Sequence, residues 1–395
     1  MHHRPVEFSC TTIDRDLPLR VTIDANQNVK VAPGPGAAVT PPKDQWLISS
    51  GLVDLQVNGY LGTDLSDPNL SVEHAESFCR QLAGVGVTRL LPTITTNSHQ
   101  ALIASLRRLS SLSEESDLFS RMTLGIHLEG PFISKLDGPR GAHPREFCRP
   151  CDLNEFALLQ QAAQGLIKVV TLSPEYESAT SFIAEITRQG LIASIGHTAA
   201  SPEQIQSATQ QGAQMSTHLG NGMHTEIARH PNYLWEQMAS DELHAGLIAD
   251  GVHLSPAILK SIVRTKTPQR CFLVSDTTSL SGQPAGRYRD SVLGDVEVTD
   301  DRRLVIAGQR LLQAGAYKPL KDAIPIIMRD ADVSFTTALK MASEFPAAAI
   351  GHRDSFPFDP QSCTGDFIVF QRDKNNRCDV KLAVVNNDVL FSNLD

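Results

Sequence analysis

Eight short apolar runs, spread through the middle of this 395-residue chain, constrain its fold more than any other feature. They fall at 52–57, 88–92, 124–128, 168–172, 191–195, 213–217, 245–249 and 271–274, and polar or ionisable residues follow each of them. Runs this short and this apolar read as strands buried on both faces. Between several of them the pattern turns helical, with clear punctuation. Asp152-Leu153-Asn154-Glu155 has the look of a capping box before a helix that stops at Gly165, and Ser201-Pro202-Glu203-Gln204 opens one that stops at Gly212. Ser255-Pro256 opens another, with Ile258, Leu259, Ile262 and Val263 on one face, and Gly84 and Gly190 supply further stops. Eight such units between residues 51 and 352 predict a (β/α)8 TIM barrel. The competing arrangement is a doubly wound open sheet. No G-x-G-x-x-G or P-loop follows any of the strands, which argues against it.

The two ends differ in character. Leu19-Arg20-Val21-Thr22-Ile23 and Asn28-Val29-Lys30-Val31 alternate in the manner of hairpin strands, interrupted by Gly34-Pro35-Gly36 and Pro41-Pro42. Residues 367–370, 380–384 and 389–391 repeat that pattern at the other terminus. Neither end can bury much surface alone. Residues 1–50 and 353–395 are therefore expected to build one small β-sandwich domain flanking the barrel. The net charge of -9, with no basic run, argues against a nucleic-acid partner, although a local anion-binding pocket remains compatible with it. No run approaches the length of a membrane helix, and Met1-His2-His3-Arg4-Pro5 lacks the apolar region of a secretory signal. Seven scattered cysteines fit a reducing cytoplasm better than a disulfide framework. Cys148 and Cys151 have metal-like spacing without a second pair, so they are expected to be unligated thiols.

In such a barrel, chemistry gathers where the strands end. The third run ends in His127 and Glu129, the fifth in His197, the sixth in His218 and Asn221, the seventh in Asp250 and His253, and the eighth in Asp276. Two imidazoles and one carboxylate, Glu129, His197 and His218, form a ligand set for a catalytic metal with an open position. Asp276 is the candidate general acid/base beside it.

Five segments occur in a distinctive order: His127-Leu128-Glu129-Gly130-Pro131, Gly196-His197-Thr198, Thr217-His218-Leu219-Gly220-Asn221, Asp250-Gly251-Val252-His253 and Val274-Ser275-Asp276. Together they resemble the signature set of the N-acetylglucosamine-6-phosphate deacetylases of the amidohydrolase superfamily, over roughly residues 50 to 350. The resemblance implies hydrolysis of N-acetyl-D-glucosamine 6-phosphate to D-glucosamine 6-phosphate and acetate. It gives Glu129, His197 and His218 as metal ligands and Asp276 as the proton-transfer carboxylate. It places His143, beside Ala142, near the acetamido group, and Asn221, Gly222, Arg229 and His253 toward the sugar phosphate. It also implies a homodimer in which Arg229 can reach across the interface. Many amidohydrolases carry His-x-His on the first strand and a bridging lysine after the fourth. Here Gln56-Val57-Asn58 and Ser173-Pro174-Glu175 stand there instead, so one divalent metal per subunit is expected, zinc first, with iron, cobalt or manganese also accepted by such ligands.

One departure concerns the substrate loop. Ala307-Gly308 is expected to approach the substrate, but Gln309-Arg310 follows where small polar residues are usual. That leaves open the galactosamine epimer or another N-acyl amine as substrate. An inactive amidohydrolase-fold scaffold is the reading of a different class; retention of all three ligands and Asp276 argues against it.

Overall fold

The computed structural model describes residues 5–13, 16–34, 46–290, 294–307, 309–353, 355 and 357–394. Eight parallel strands follow one another around a barrel: β1 (Leu52–Val57), β2 (Val87–Thr95), β3 (Ile126–Glu129), β4 (Ile167–Leu172), β5 (Ile192–Ile195), β6 (Met215–Ser216), β7 (His244–Leu247) and β8 (Cys271–Leu273). Every apolar run of the sequence supplies one of them. The ring is drawn together just beyond β8, where Asp276 N donates to Gln56 O at 2.9 Å and Asn58 N to Thr277 O at 2.8 Å. Strand β6 is shorter than its apolar run because the chain leaves extended geometry two residues later, at His218 with φ 29°.

Val53, Leu55, Leu91, Val169, Ile192 and Phe272 plug the barrel below the strand ends, so the interior is a packed core. The helix Val72–Gly84 shows how the outer layer forms. Ser71 caps it by accepting from His74 N, and Ala75, Phe78, Cys79, Leu82 and Ala83 fall on one buried face. Removing a side chain the size of Phe78 from water contributes about 2–3 kcal/mol. Ser201 and Gln204 make the reciprocal capping box. Asp152 caps the amides of Asn154 and Glu155, but the Glu155 side chain turns instead to Arg149 and His99.

The two termini meet in one seven-stranded sheet. Val6–Thr12, Pro18–Ile23, Val29–Pro33 and Trp46–Ser50 come from the start of the chain, and Phe367–Arg372, Cys378–Val385 and Asp388–Ser392 from its end. Trp46–Ser50 pairs antiparallel with Phe367–Arg372, and Leu19, Val21, Ile48, Phe367, Val369 and Leu382 share a core. The breaks at Pro35-Gly36 and Pro41-Pro42 lie outside the described residues. A second, four-stranded antiparallel sheet (Gly286–Asp290, Gly294–Val298, Leu304–Ile306, Gln309–Gln313) is inserted after β8 and was not anticipated from the sequence. Its core is small, built on Leu280, Val296, Val298, Leu304 and Ala314. Among the described residues no helix is long and apolar enough to cross a membrane. All seven cysteines are free thiols, Cys148 and Cys151 among them.

A buried ion pair joins the barrel to the terminal sheet. Arg89 on β2 places Nε 2.5 Å from Asp366 Oδ2, with the two side chains 10% and 3% exposed. Arg89 Nη2 also donates to Asn386 Oδ1 at 2.8 Å, and Nη1 to the carbonyl of Arg121. Removing one partner strands the other charge in a dry joint. Arg89→Ala is therefore expected to lower unfolding stability by about 3–5 kcal/mol, read from the urea midpoint. A loss below about 1 kcal/mol would show that the joint is held by its apolar contacts.

Candidate active site

The chain turns sharply where strand gives way to loop, and those turns aim the polar side chains inward. His197, His218 and Asp276 all have left-handed backbone, with φ of 49°, 29° and 51°. Glu129 closes β3 in extended geometry and is 3% exposed.

Three groups from β3, β5 and β6 converge. Glu129 Oε1 lies 3.1 Å from His197 Nε2 and 2.9 Å from His218 Nε2, and the two imidazole nitrogens are 3.1 Å apart. The protonation pattern follows from His197 Nδ1, which lies 2.9 Å from Pro139 O. A carbonyl oxygen only accepts, so Nδ1 carries the proton and a neutral His197 turns its Nε2 lone pair toward the carboxylate. Glu129 Oε1, His197 Nε2 and His218 Nε2 then face one another in a buried space. Two imidazoles and a carboxylate in such a space are donors of the kind that hold a divalent metal. Burial alone would push the Glu129 carboxyl up, but in the protonated forms of His197 and His218 their hydrogen bonding and charge more than offset it and hold it well below the usual range.

His143 adds a fourth group. Its Nε2 sits 3.2 Å from His197 Nε2, and one ligand atom each from Glu129, His143 and His197 lie within 4.8 Å of one another. Burial first, then the neighbouring His197, pushes the His143 imidazole down to about 3, so it is neutral at physiological pH. Both His143 and His218 thus compete for the place beside Glu129 and His197. The contacts favour His218, which touches both of the others, whereas the short contact of His143 is to His197.

Asp276 closes the far side. Its Oδ1 accepts from Asn58 Nδ2 at 2.8 Å and from Gln56 Nε2 at 3.2 Å. Burial, followed by the charge of Glu129, pushes its carboxyl up to about 7. A cation at the Glu129 cluster would draw it back down. Gln56 and Asn58 stand out in the sequence as missing metal ligands; here they are the amides that orient Asp276. Their place at the end of β1, facing the end of β8, was the available signal.

A polar layer lies under the metal cluster. His127 Nδ1 is 3.0 Å from Leu55 O and must donate to it, so Nε2 accepts from the Thr171 hydroxyl at 2.7 Å. Thr171 Oγ1 then accepts from Thr217 at 2.6 Å, and Thr217 Oγ1 from Ser194 at 2.6 Å. Every hydroxyl direction in that row follows from one carbonyl.

Among the other sequence-derived residues, Asn221 and Gly222 lie in the loop leaving β6. Gly222 has φ 58°, and a Cβ there would fall 2.8 Å from His197 Nδ1. A side chain there would force that imidazole to move, and the φ of 58° favours glycine as well. Ala142 precedes the buried His143 in the loop after β3, and His253 is held by Asp250 beyond β7. Arg229 is exposed.

The Ala307-Gly308 expectation needs correction. Ala307 sits at the turn between Leu304–Ile306 and Gln309–Gln313 of the inserted sheet, with its N–H on Asp295 O, and Gly308 is outside the described residues. The close backbone approach to Asp276 is made seven residues later. Ala316 N donates to Asp276 O at 2.9 Å, and a Cβ on Gly315 would fall 3.1 Å from that carbonyl. Three Ala-Gly pairs follow the eighth strand, Ala285-Gly286, Ala307-Gly308 and Ala314-Gly315, and the inserted hairpins put the third one at the site.

No protein-family model matches the chain. It is 30% identical over 357 residues to N-acetylglucosamine-6-phosphate deacetylase of Bacillus subtilis (strain 168), covering 89% of this chain and 86% of that protein. It is 29% identical over 332 residues to N-acetylgalactosamine-6-phosphate deacetylase of Escherichia coli O157:H7, covering 82% and 85%. Its fold matches the structure of a mutant N-acetyl-D-glucosamine-6-phosphate deacetylase from Mycobacterium smegmatis in complex with N-acetyl-D-glucosamine-6-phosphate, with a TM-score of 0.83, 24% identity, and 99% and 100% of the two chains covered. On the extent of the match to the Bacillus subtilis protein, the chain belongs to the N-acetylglucosamine-6-phosphate deacetylase family of amidohydrolases.

Proposed function

We propose that this chain hydrolyses N-acetyl-D-glucosamine 6-phosphate to D-glucosamine 6-phosphate and acetate, in the cytoplasm, as a homodimer with one divalent metal per subunit. The observation that carries the reading is the convergence of Glu129, His197 and His218 at the ends of β3, β5 and β6, with Asp276 just past the end of β8 in the same ring. Glu129, His197 and His218 would hold the metal, and His143 is left free for the substrate. When bound, the metal polarises the acetamide carbonyl and lowers the pKa of water at the site.

The chain's own groups then divide the proton work. Asp276, held by Gln56 and Asn58, takes a proton from the water that attacks the acetamide carbon. Neutral His143 supports the oxygen that becomes negatively charged. As the C–N bond breaks, Asp276 returns its proton to the amine, which would otherwise leave as an unstable anion. Acetate and the free amine result. Asn221, Gly222 and His253 bind the sugar phosphate, and Arg229 reaches it from the partner subunit. A guanidinium fork suits a phosphate dianion. Ala307 no longer has a part in this reading; Ala314-Gly315-Ala316 takes its place beside Asp276.

The likeness to the galactosamine-type relative supports a second reading, in which the 4-epimer is the preferred substrate. Steady-state assays on both epimers, each with and without the 6-phosphate, decide between them. The glucosamine compound is expected to have the higher kcat/KM, and loss of its phosphate to lower that value by about a hundredfold. A higher value for the galactosamine compound would move the assignment to the epimer, and equal rates with and without phosphate would remove the roles given to Arg229 and His253.

A further inference from the structure

Strand β4 supplies no metal ligand, although it runs between two strands that do: Glu129 ends β3 and His197 follows β5. In the sequence its exit, Ser173-Pro174-Glu175, stands out only for lacking a bridging lysine. In the fold that exit is bonded to both neighbours. On the β3 side, Ser173 N donates to Phe132 O at 2.8 Å, and the Tyr176 hydroxyl donates to Ile133 O at 2.9 Å. On the β5 side the contact is made by the Glu175 side chain. Its Oε2 accepts from Ala199 N at 2.9 Å and from the Ser173 hydroxyl at 2.9 Å.

The directions of the neighbouring hydroxyls follow from that oxygen. Thr198 Oγ1 accepts from Ala200 N at 3.0 Å and lies 2.7 Å from Ser173 Oγ. With its own hydrogen committed to Glu175, Ser173 accepts from the Thr198 hydroxyl. Both hydroxyl residues are buried, so each needs its partner within the protein. Glu175 thus holds the two residues that follow His197, Thr198 through Ser173 and Ala199 directly. Its own peptide is held in turn, because the Gln204 side chain donates to the Glu175 carbonyl at 3.0 Å. His197 has left-handed backbone, with φ 49°, which a histidine keeps only where its surroundings fix it. The chain on its C-terminal side is such a surrounding.

We propose that Glu175 is a positioning residue for the metal cluster, fixing the chain that leaves β5 so that His197 Nε2 stays opposite Glu129 and His218. This rests on the metal-dependent reading of the site. Glu175 acts through the hydrogen bonds it accepts, not through its charge. Glu175→Gln separates the two, since an amide oxygen can take both donors.

The test strips the whole chain of metal and titrates it with zinc against a competing chelator, as wild type, Glu175→Gln and Glu175→Ala. Arg89→Ala, whose ion pair lies at the joint with the terminal sheet, controls for a general loss of stability. Amide hydrogen exchange over residues 197–200 of the metal-free proteins reads the loop without any metal. Glu175→Ala is expected to weaken zinc binding about 10- to 100-fold. It should also speed exchange at Ala199 by about tenfold or more. Glu175→Gln should stay within about threefold of the wild type in both, because both hydrogen bonds survive. Arg89→Ala should lower the thermal midpoint and leave zinc affinity where it was. Unchanged affinity or unchanged exchange in Glu175→Ala would overturn the proposal. So would a Glu175→Gln as weak as Glu175→Ala, which would make charge the cause, or an equal loss of affinity in Arg89→Ala. A wild type that binds no zinc would instead overturn the metal reading, and exchange at Ala199 alone would then decide whether Glu175 holds the loop.

Discussion

Asp276→Asn is expected to lower kcat by about 10²- to 10⁴-fold while leaving metal content near one per subunit. Asparagine is nearly isosteric, tolerates the left-handed backbone at this position, and still accepts from Gln56 and Asn58 through its carbonyl oxygen. What it cannot do is take a proton. The loss should therefore fall on turnover rather than on binding or folding. Metal analysis, steady-state kinetics and thermal unfolding on one preparation separate these effects. Turnover within tenfold of the wild type would mean that the proton passes through another group. A lost metal would mean that Asp276 is a ligand, and the division of labour drawn above would fail.

The second large effect concerns the metal cluster, where His143 and His218 are rival partners for Glu129 and His197. His218→Ala and Glu129→Ala are each expected to empty the site and to lower kcat by at least about a thousandfold. Loss of metal removes both carbonyl polarisation and water activation. His143→Ala should retain the metal and lose turnover alone, by about the 10²- to 10³-fold typical of a missing oxyanion donor. Metal per subunit, measured after purification and again after reconstitution, is the deciding quantity. The reverse pattern, with metal lost in His143→Ala and kept in His218→Ala, would exchange the roles of the two histidines. A thermal midpoint that rises with added metal in the wild type, but not in Glu129→Ala, would tie the effect to this site.

Much of this was legible before any coordinates, for reasons that differ from residue to residue. The eight barrel strands are largely buried on both faces and so appear as mainly apolar runs. Glu129, His197, His218 and Asp276 each follow such a run immediately, so their convergence follows from topology alone. The Ala-Gly pair was misplaced because strands of the inserted sheet bury only a small core, and Arg, Asp and Gly interleave their apolar residues. Nothing in that stretch distinguishes the turn at Ala307 from the close approach at Gly315. Gln56 and Asn58 were legible only as absent imidazoles. Their positive role needs the contact between the first and last strands, which lies more than two hundred positions apart in the chain. Glu175 was visible only where a lysine was missing, and its hold on the chain after His197 was not.

The left-handed turns at His197, His218 and Asp276 carry a consequence for how such an enzyme can evolve. Each position imposes a conformation that glycine adopts freely and that costs other residues about 1–3 kcal/mol. Selection for thermal robustness alone would drift these positions toward glycine, and each such step would delete a side chain to which the proposed reaction gives a metal or a proton to hold. The site is thus a place where stability and activity pull against each other. Stabilising substitutions that also preserve turnover belong elsewhere: in the helix caps, the terminal sheet and the small core of the inserted hairpins.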